Sequence, residues 1–420
     1  MPEHVTASFF LAFIAVLVLA RVLGTAARKI GQPAVLGEIL AGILIGPTLL
    51  NGEIAEALLP MDVRPYLSGL GTIGLAIFMF ATGAELERTL LRSEGRAAMT
   101  TGAVSVVFPF ILGCALGLYL LRRTPTDHSV GFVLFLGAAT SVTAFPVLAR
   151  ILSDRGLLTT RIGGIALSAA MLADLIAWST LAMVLAVIGA GQWHALLIPV
   201  YLLLMWSAVR PLLRKALLRA GPATATPVVV GLLLSCCAAQ WIGLHFIFGA
   251  FAFGAVMPRD LSDKAARSVQ QLSQFSTPFL LPVFFVMAGL KVDLSELDGE
   301  ALTDLALILL VAVTGKVIGA WGGARLGGLR GRDTWILATL MNTRGLTELV
   351  VLTVGLQLGL LNNQLFSLMV VMALVTTYMT GPVLALLTRK DPSSPPAAPE
   401  PGGTQDAARA AAPAGPSKEL

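Results

Sequence analysis

Gly137-Ala138-Ala139-Thr140-Ser141-Val142-Thr143-Ala144-Phe145-Pro146 interrupts an apolar run that extends from about residue 129 to residue 151. Three hydroxyl side chains compete with the helical ladder for backbone groups and Pro146 removes an amide donor, so the spacing predicts a helix broken around Ser141 to Thr143. A second run, residues 334–359, is interrupted by Met341-Asn342-Thr343-Arg344-Gly345-Leu346-Thr347. Irregular backbone at membrane depth is tolerated only where protein buries it or where it lines a cavity. Two such breaks in one chain therefore point to a site.

The surroundings of both breaks are those of a bilayer protein. Hydrophobic residues make up 56% of the 420-residue chain and charged residues 13%, about half the charge that a soluble domain carries. The apolar runs are continuous and rich in glycine rather than alternating, which predicts an all-α integral membrane protein and excludes a β-barrel pattern. The net charge of +5 therefore gives no reason to expect nucleic acid as a partner; the lipid bilayer is the expected surrounding. Cys114, Cys236 and Cys237 lie in apolar runs without a CxxC or histidine partner and read as buried small hydrophobes. The first run follows Met-Pro-Glu-His without a basic leader, so a cleaved signal peptide is not expected.

Thirteen spans are expected, at about 6–24, 33–50, 66–84, 97–121, 129–151, 162–190, 195–213, 224–242, 244–258, 272–290, 302–324, 334–359 and 364–387. Loops after odd-numbered spans hold twenty-one Lys and Arg residues, whereas the other side holds only Arg64, Arg122, Arg123 and Lys291. Cytoplasmic loops carry the positive excess. The expected orientation in the cytoplasmic membrane is N-terminus outside and C-terminus in the cytoplasm. After residue 390 the composition changes to Pro, Ala, Gly and Ser, with seven prolines in the last thirty residues, which predicts a disordered cytoplasmic tail at 391–420 beyond a transmembrane domain at 1–390. No nucleotide-binding regulatory domain is expected in this chain.

Few charges lie inside the spans. Asp174 is the only formal charge between Arg161 and Arg210. Thirteen residues past Arg161, it sits about 20 Å along a helix and so near mid-bilayer. An ionised carboxylate there costs roughly 2.5–3.5 kcal/mol on insertion scales, which makes it a functional hypothesis by default. Lys316 stands alone between Asp304 and Arg325 at similar depth and is the candidate charge partner of Asp174; the bland reading is a snorkelling side chain. Arg344 and Glu348, four residues apart, can neutralise one another on one helix face. Glu38, near a helix start, reads as a structural carboxylate. With span seven as a linker, the spans fall into two inverted six-helix repeats, and each break is the fifth span of its half. Matched interruptions of this kind are the best sequence pointer to a transporter's binding site.

At this point the residues carry a family resemblance. Phe135-Leu136-Gly137 through Ser141-Val142-Thr143-Ala144-Phe145-Pro146-Val147-Leu148-Ala149-Arg150-Ile151-Leu152 resembles the fifth-span signature of the plant-type cation/proton exchangers and their bacterial and fungal relatives in the cation:proton antiporter superfamily. Gly31 to Glu38, Ile247 to Phe251, Met257-Pro258, Leu281 to Phe285 and Met341 to Leu349 agree with it. The resemblance implies crossed broken helices, a core domain of spans four, five, six, eleven, twelve and thirteen, a dimerisation domain, elevator motion and a homodimer. It also implies that Asp174 binds cation and proton alternately, with Lys316 close by. Relatives carry Asn-Asp or Asp-Asp where this chain has Ala173-Asp174, which leaves the stoichiometry open.

The chemistry does not need the family name. A carboxylate that holds either a proton or a dehydrated monovalent cation, K+ or Na+, gives obligatory exchange, because both compete for one anionic site. Oxygens of Thr143, Ser141 and freed carbonyls would replace the hydration shell, with Thr140, Asn342, Thr343, Arg344 and Glu348 supporting the breaks. Burial disfavours the ionised carboxylate and a near ammonium favours it, and their balance decides whether a proton leaves at cytoplasmic pH. No cofactor and no metal other than the transported ion are expected. The alternatives are a sodium-coupled organic-anion symporter of related fold and a channel-like membrane protein. An enzyme is not expected, since no HExxH or GxSxG motif occurs and His4, His128, His194 and His245 fall near span ends or loops.

Overall fold

Without water to satisfy its peptide groups, an apolar chain must bond them within each segment, and helices do so. In a computed structural model the described residues are 3–49, 52–90, 95–123, 126, 128–157, 160–189, 192–219, 225–242, 244–258, 267, 270–272, 274, 276, 278–295 and 298–388. Among them the regular structure is helical and no strand occurs. The helices are α1 (Glu3–Lys29), α2 (Ala34–Ile45), α3 (Glu53–Leu58), α4 (Arg64–Leu90), α5 (Gly95–Leu120), α6 (Ser129–Ser141), α7 (Phe145–Asp154) and α8 (Arg161–Gly189). They continue as α9 (Gln192–Leu204), a π-helical turn (Met205–Val209), α10 (Arg210–Arg219), α11 (Ala225–Trp241), α12 (Phe246–Ala255), α13 (Leu281–Gly289), α14 (Gly299–Leu326), α15 (Arg332–Met341), α16 (Leu346–Gln357) and α17 (Asn363–Thr388). Among the described residues, six helices are long and apolar enough to cross a membrane, within α1, α4, α5, α8, α14 and α17. The protein is a multi-pass integral membrane protein.

Both expected interruptions are present, between α6 and α7 and between α15 and α16. Elsewhere the boundaries shift. α1 runs on to Lys29, where Arg28 and Lys29 in the last turn meet the negative helix end. α2 stops at Ile45 rather than near residue 50, because Gly46 is extended before Pro47. Cys237 is exposed on the outer surface rather than buried, whereas Cys236 is buried; the two neighbours project from different sides of α11. The expected tail at 391–420 lies outside the described residues.

Two packing groups emerge. α5 lies along α14, α6 and α8, while α4 packs on α12 and α13, and α2 on α1 and α13. Close approach in the second group depends on glycine: a Cβ on Gly42 would strike the Val286 carbonyl oxygen and lie 2.8 Å from the Gly289 Cα. Small residues allow helix backbones to touch where lipid supplies no hydrophobic drive. Phe10, Ile14, Val18 and Val22 are exposed along one stripe of α1, an apolar face suited to lipid rather than water.

Polar contacts between segments far apart in sequence have a regular pattern. Arg123 pairs with Asp304 at 3.3 Å, Thr48 donates to the Val292 carbonyl at 3.1 Å, and His245 bonds Gln357 at 3.2 Å. All three join regions assigned from sequence to the side poor in Lys and Arg. Gln32 and Arg155, from loops assigned to the other side, donate to carbonyls within α17, to that of Tyr378 at 3.3 Å and to that of Gly381 at 3.2 Å.

Candidate functional site

The first break follows from local chemistry. The Ser141 hydroxyl donates back to the Gly137 carbonyl at 2.6 Å, and the Thr140 hydroxyl to that of Leu136 at 2.9 Å, which loosens the last turn of α6. Val142 is extended (φ −61°, ψ 142°), and Pro146 cannot continue the ladder into α7. The second break ends α15 at Met341 and turns at Gly345, whose φ of +137° lies outside the comfortable range of residues with a Cβ.

The two breaks satisfy one another. Ala144 N–H donates to the Thr343 carbonyl at 3.0 Å. The Thr143 hydroxyl donates to the Met341 carbonyl, and the Thr347 hydroxyl to the Thr143 carbonyl, each at 3.4 Å. The Thr343 hydroxyl reaches that of Thr380 on α17 at 3.5 Å. Backbone groups that would otherwise be orphaned in apolar surroundings are thus paired across the breaks.

Lys316, from α14, is completely buried. Its ammonium donates to the Ser141 carbonyl at 2.5 Å, to the Thr143 hydroxyl at 2.6 Å and to the Ser105 carbonyl at 3.1 Å. Three donors meet three acceptors, which rules out snorkelling. The Ser105 carbonyl is available because Pro109, four residues on in α5, has no N–H to offer it. Ser105 was not among the sequence candidates; Pro109 inside an apolar run was the signal that could have found it.

Arg344 is also fully buried and bonds Glu348 at 2.8 Å, as their spacing predicts. Its guanidinium donates in addition to the carbonyls of Thr140 at 2.7 Å, Ala139 at 3.4 Å and Ala312 at 3.5 Å. Lys316 and Arg344 together cap the negative end of α6, while Glu348 sits in the first turn of α16 at its positive end. Among the remaining candidates, Asn342 is buried with Oδ1 unpartnered.

Asp174, on α8, is 2% exposed. Lys316 and the backbone N–H of Phe145, first residue of α7, are the polar groups that bear on it, but neither of its oxygens has a partner within hydrogen-bond geometry. The expected proximity of Asp174 and Lys316 is therefore electrostatic: among the described residues they form no ion pair, and the ammonium belongs to the first break. Asp174, Lys316, Arg344 and Glu348 sum to zero formal charge. Within that neutral set Glu348 keeps one oxygen, Oε2, without a partner, whereas Asp174 has both carboxylate oxygens open. Chemically, that arrangement can accept a proton or a small cation.

A family model described as "Sodium/hydrogen exchanger, transmembrane" matches residues 13–390. The chain belongs to the sodium/hydrogen exchanger family. Over 389 residues it is 37% identical to the "Na(+)/H(+) antiporter NhaS4" of Synechocystis, covering 88% of this chain and 95% of that protein. It is 33% identical to the Arabidopsis thaliana "Cation/H(+) antiporter 20", covering 88% of this chain but only 47% of the plant protein, about half its length. The solved structure of the sodium proton antiporter MjNhaP1 from Methanocaldococcus jannaschii has the same fold, with a TM-score of 0.61 at 15% identity over 90% of this chain and 96% of that one. These sodium/hydrogen exchanger relatives bear out the family resemblance read from the motifs around both breaks.

Proposed function

We propose that this protein is a secondary active antiporter that exchanges a monovalent cation, K+ or Na+, for protons across the cytoplasmic membrane. The observation that carries this reading is the buried, unpartnered carboxylate of Asp174 beside two mutually bonded helix breaks. The names of the relatives, a Na+/H+ antiporter and a cation/H+ antiporter, point the same way. A sodium-coupled organic-anion symporter has no comparable support.

In this reading Asp174 holds cation and proton alternately. The cation completes its coordination with oxygens of the first break, those of Thr143 and the Ser141 carbonyl, which Lys316 otherwise occupies. Cation entry then requires the ammonium to yield part of its oxygen shell, so ion and lysine compete for the same acceptors. Arg344 and Glu348 hold the breaks together and do not bind the ion. With Ala173 in place of a second polar group, one carboxylate exchanges one charge for one, and transport is electrically silent.

The architecture we assign is thirteen spans in two inverted six-helix repeats, with a core and a dimerisation domain, in a homodimer that works by elevator motion. The N-terminus lies outside and the C-terminus in the cytoplasm, with a transmembrane domain over 1–390 and a cytoplasmic tail over 391–420. The side-matched contacts support the span count: Arg123 with Asp304, Thr48 with Val292 and His245 with Gln357 all join ends assigned to one side. One missing span would place such partners on opposite faces.

The test is exchange in proteoliposomes, read as dissipation of a preset proton gradient on addition of Li+, Na+, K+, Rb+ or choline. Saturable dissipation by Na+ or K+, without response to choline or to an imposed membrane potential, is expected. A strong voltage dependence would contradict the one-for-one stoichiometry, and uptake of an organic solute without proton countermovement would contradict antiport.

A further inference from the structure

A second group of charges lies away from the helix breaks. Arg21 and Arg28 on α1 and Glu38 on α2 line one cavity of about 590 Å3, together with Gly24, Ala34 and Phe279. This volume falls within the roughly 300–1,000 Å3 of small-molecule sites. Positions 21, 24 and 28 recur at helical spacing and so share one face of α1. Glu38 is one turn inside α2, so all three charges gather near one membrane face. Arg21 is eight residues before the α1 terminus at Lys29, about 12 Å along the axis, which spans headgroup depth.

The opposite charges share the cavity without touching. Both arginines act on Glu38 electrostatically, but among the described residues neither forms an ion pair with it, and Arg28 donates to the Thr25 hydroxyl at 3.0 Å. Space therefore separates two guanidinium groups from a carboxylate, with apolar walls that include Phe279, which is 45% exposed. A ligand that bridges this gap must carry an anion for the arginines and a hydrogen-bonding cation for the glutamate, and it must be compatible with an apolar wall.

We infer that this cavity binds the headgroup of an aminophospholipid, phosphatidylethanolamine, with its phosphate between Arg21 and Arg28 and its ammonium on Glu38. Guanidinium groups bind phosphate through paired charge-assisted hydrogen bonds. A primary ammonium offers three donors, which a trimethylated one lacks. A purely anionic lipid would place its charge beside Glu38 with no cation to offset it.

Native mass spectrometry of the full chain in detergent tests this, with phosphatidylethanolamine, its mono- and dimethyl forms, phosphatidylcholine and phosphatidylglycerol of identical acyl chains. Affinity is expected to fall stepwise with methylation, about tenfold from the first to phosphatidylcholine, the scale of one charge-assisted hydrogen bond. Glu38→Gln should flatten the series, and Arg21→Ala with Arg28→Ala should weaken every member alike. A flat series in the unaltered protein would overturn the assignment, as would phosphatidylglycerol binding more tightly than phosphatidylethanolamine. The methylation series needs no variant, so it decides even if Glu38→Gln fails to fold, and no ion gradient is present, so the outcome is separate from that of antiport.

Discussion

Ala144 and Thr343 join the two helix breaks directly, the amide of one donating to the carbonyl of the other at 3.0 Å. Each break supplies hydrogen-bond partners that the other lacks. The four buried charges around them divide into two sets with different work. Arg344 and Glu348 are bonded to each other, while Lys316 is bonded to backbone and hydroxyl oxygens and Asp174 is left open.

Lys316→Met is expected to destabilise the protein as well as impair transport. It strands the Ser141 and Ser105 carbonyls and takes one of two partners from the Thr143 hydroxyl, and an unsatisfied buried polar group costs about 1–3 kcal/mol. A fall in the thermal unfolding midpoint of the detergent-solubilised protein checks this; an unchanged midpoint would mean that the ammonium is not held in this way.

Ser141 and Thr143 should respond differently to alanine. The Ser141 hydroxyl is turned back to Gly137 and only its carbonyl meets Lys316, so Ser141→Ala should retain near-normal cation affinity. Thr143→Ala removes a side-chain oxygen from the proposed coordination shell, and the apparent KM for the cation should rise about tenfold, the worth of one charged hydrogen bond. Equal effects would remove the Thr143 hydroxyl from the shell.

Arg344→Ala and Glu348→Ala should each cost about 3–5 kcal/mol, the usual result of leaving one partner of a buried pair uncompensated. The double variant should cost less than the sum of the two, since no lone charge remains. Additive losses, measured by unfolding midpoints of all four proteins, would show that the pair is not energetically coupled.

Gly42→Leu should lower stability and yield of folded protein, because even a Cβ at that position meets the Val286 carbonyl and the Gly289 backbone. Overpacking of this kind typically costs about 1–3 kcal/mol. Size-exclusion chromatography with thermal unfolding checks it; wild-type behaviour would mean that α2 and α13 can separate at little cost.

The helical class, the two breaks and the Arg344–Glu348 pair were legible in the sequence, because each rests on local rules of hydropathy, hydroxyl and proline placement, and four-residue spacing. The partners of Lys316 were not. They come from α5 and from the first break, and only packing brings carbonyls of Ser105 and Ser141 to one ammonium. The inward turn of the Ser141 hydroxyl was hidden for a different reason: composition shows that a serine is present, not which of its two oxygens faces the site. Glu38, read as a structural carboxylate near a helix start, acquires its cavity and its two arginines only from the approach of α1 to α2.

In the proposed mechanism Asp174 holds cation and proton in turn. Asp174→Asn keeps the shape and burial of the side chain and removes its charge, so the variant should insert, fold and show an unfolding midpoint close to that of the unaltered protein. Reconstituted into proteoliposomes with a preset proton gradient, it should show no dissipation on addition of Na+ or K+ beyond that of protein-free vesicles. Dissipation at a near-normal rate would contradict the account and move the exchange to another residue.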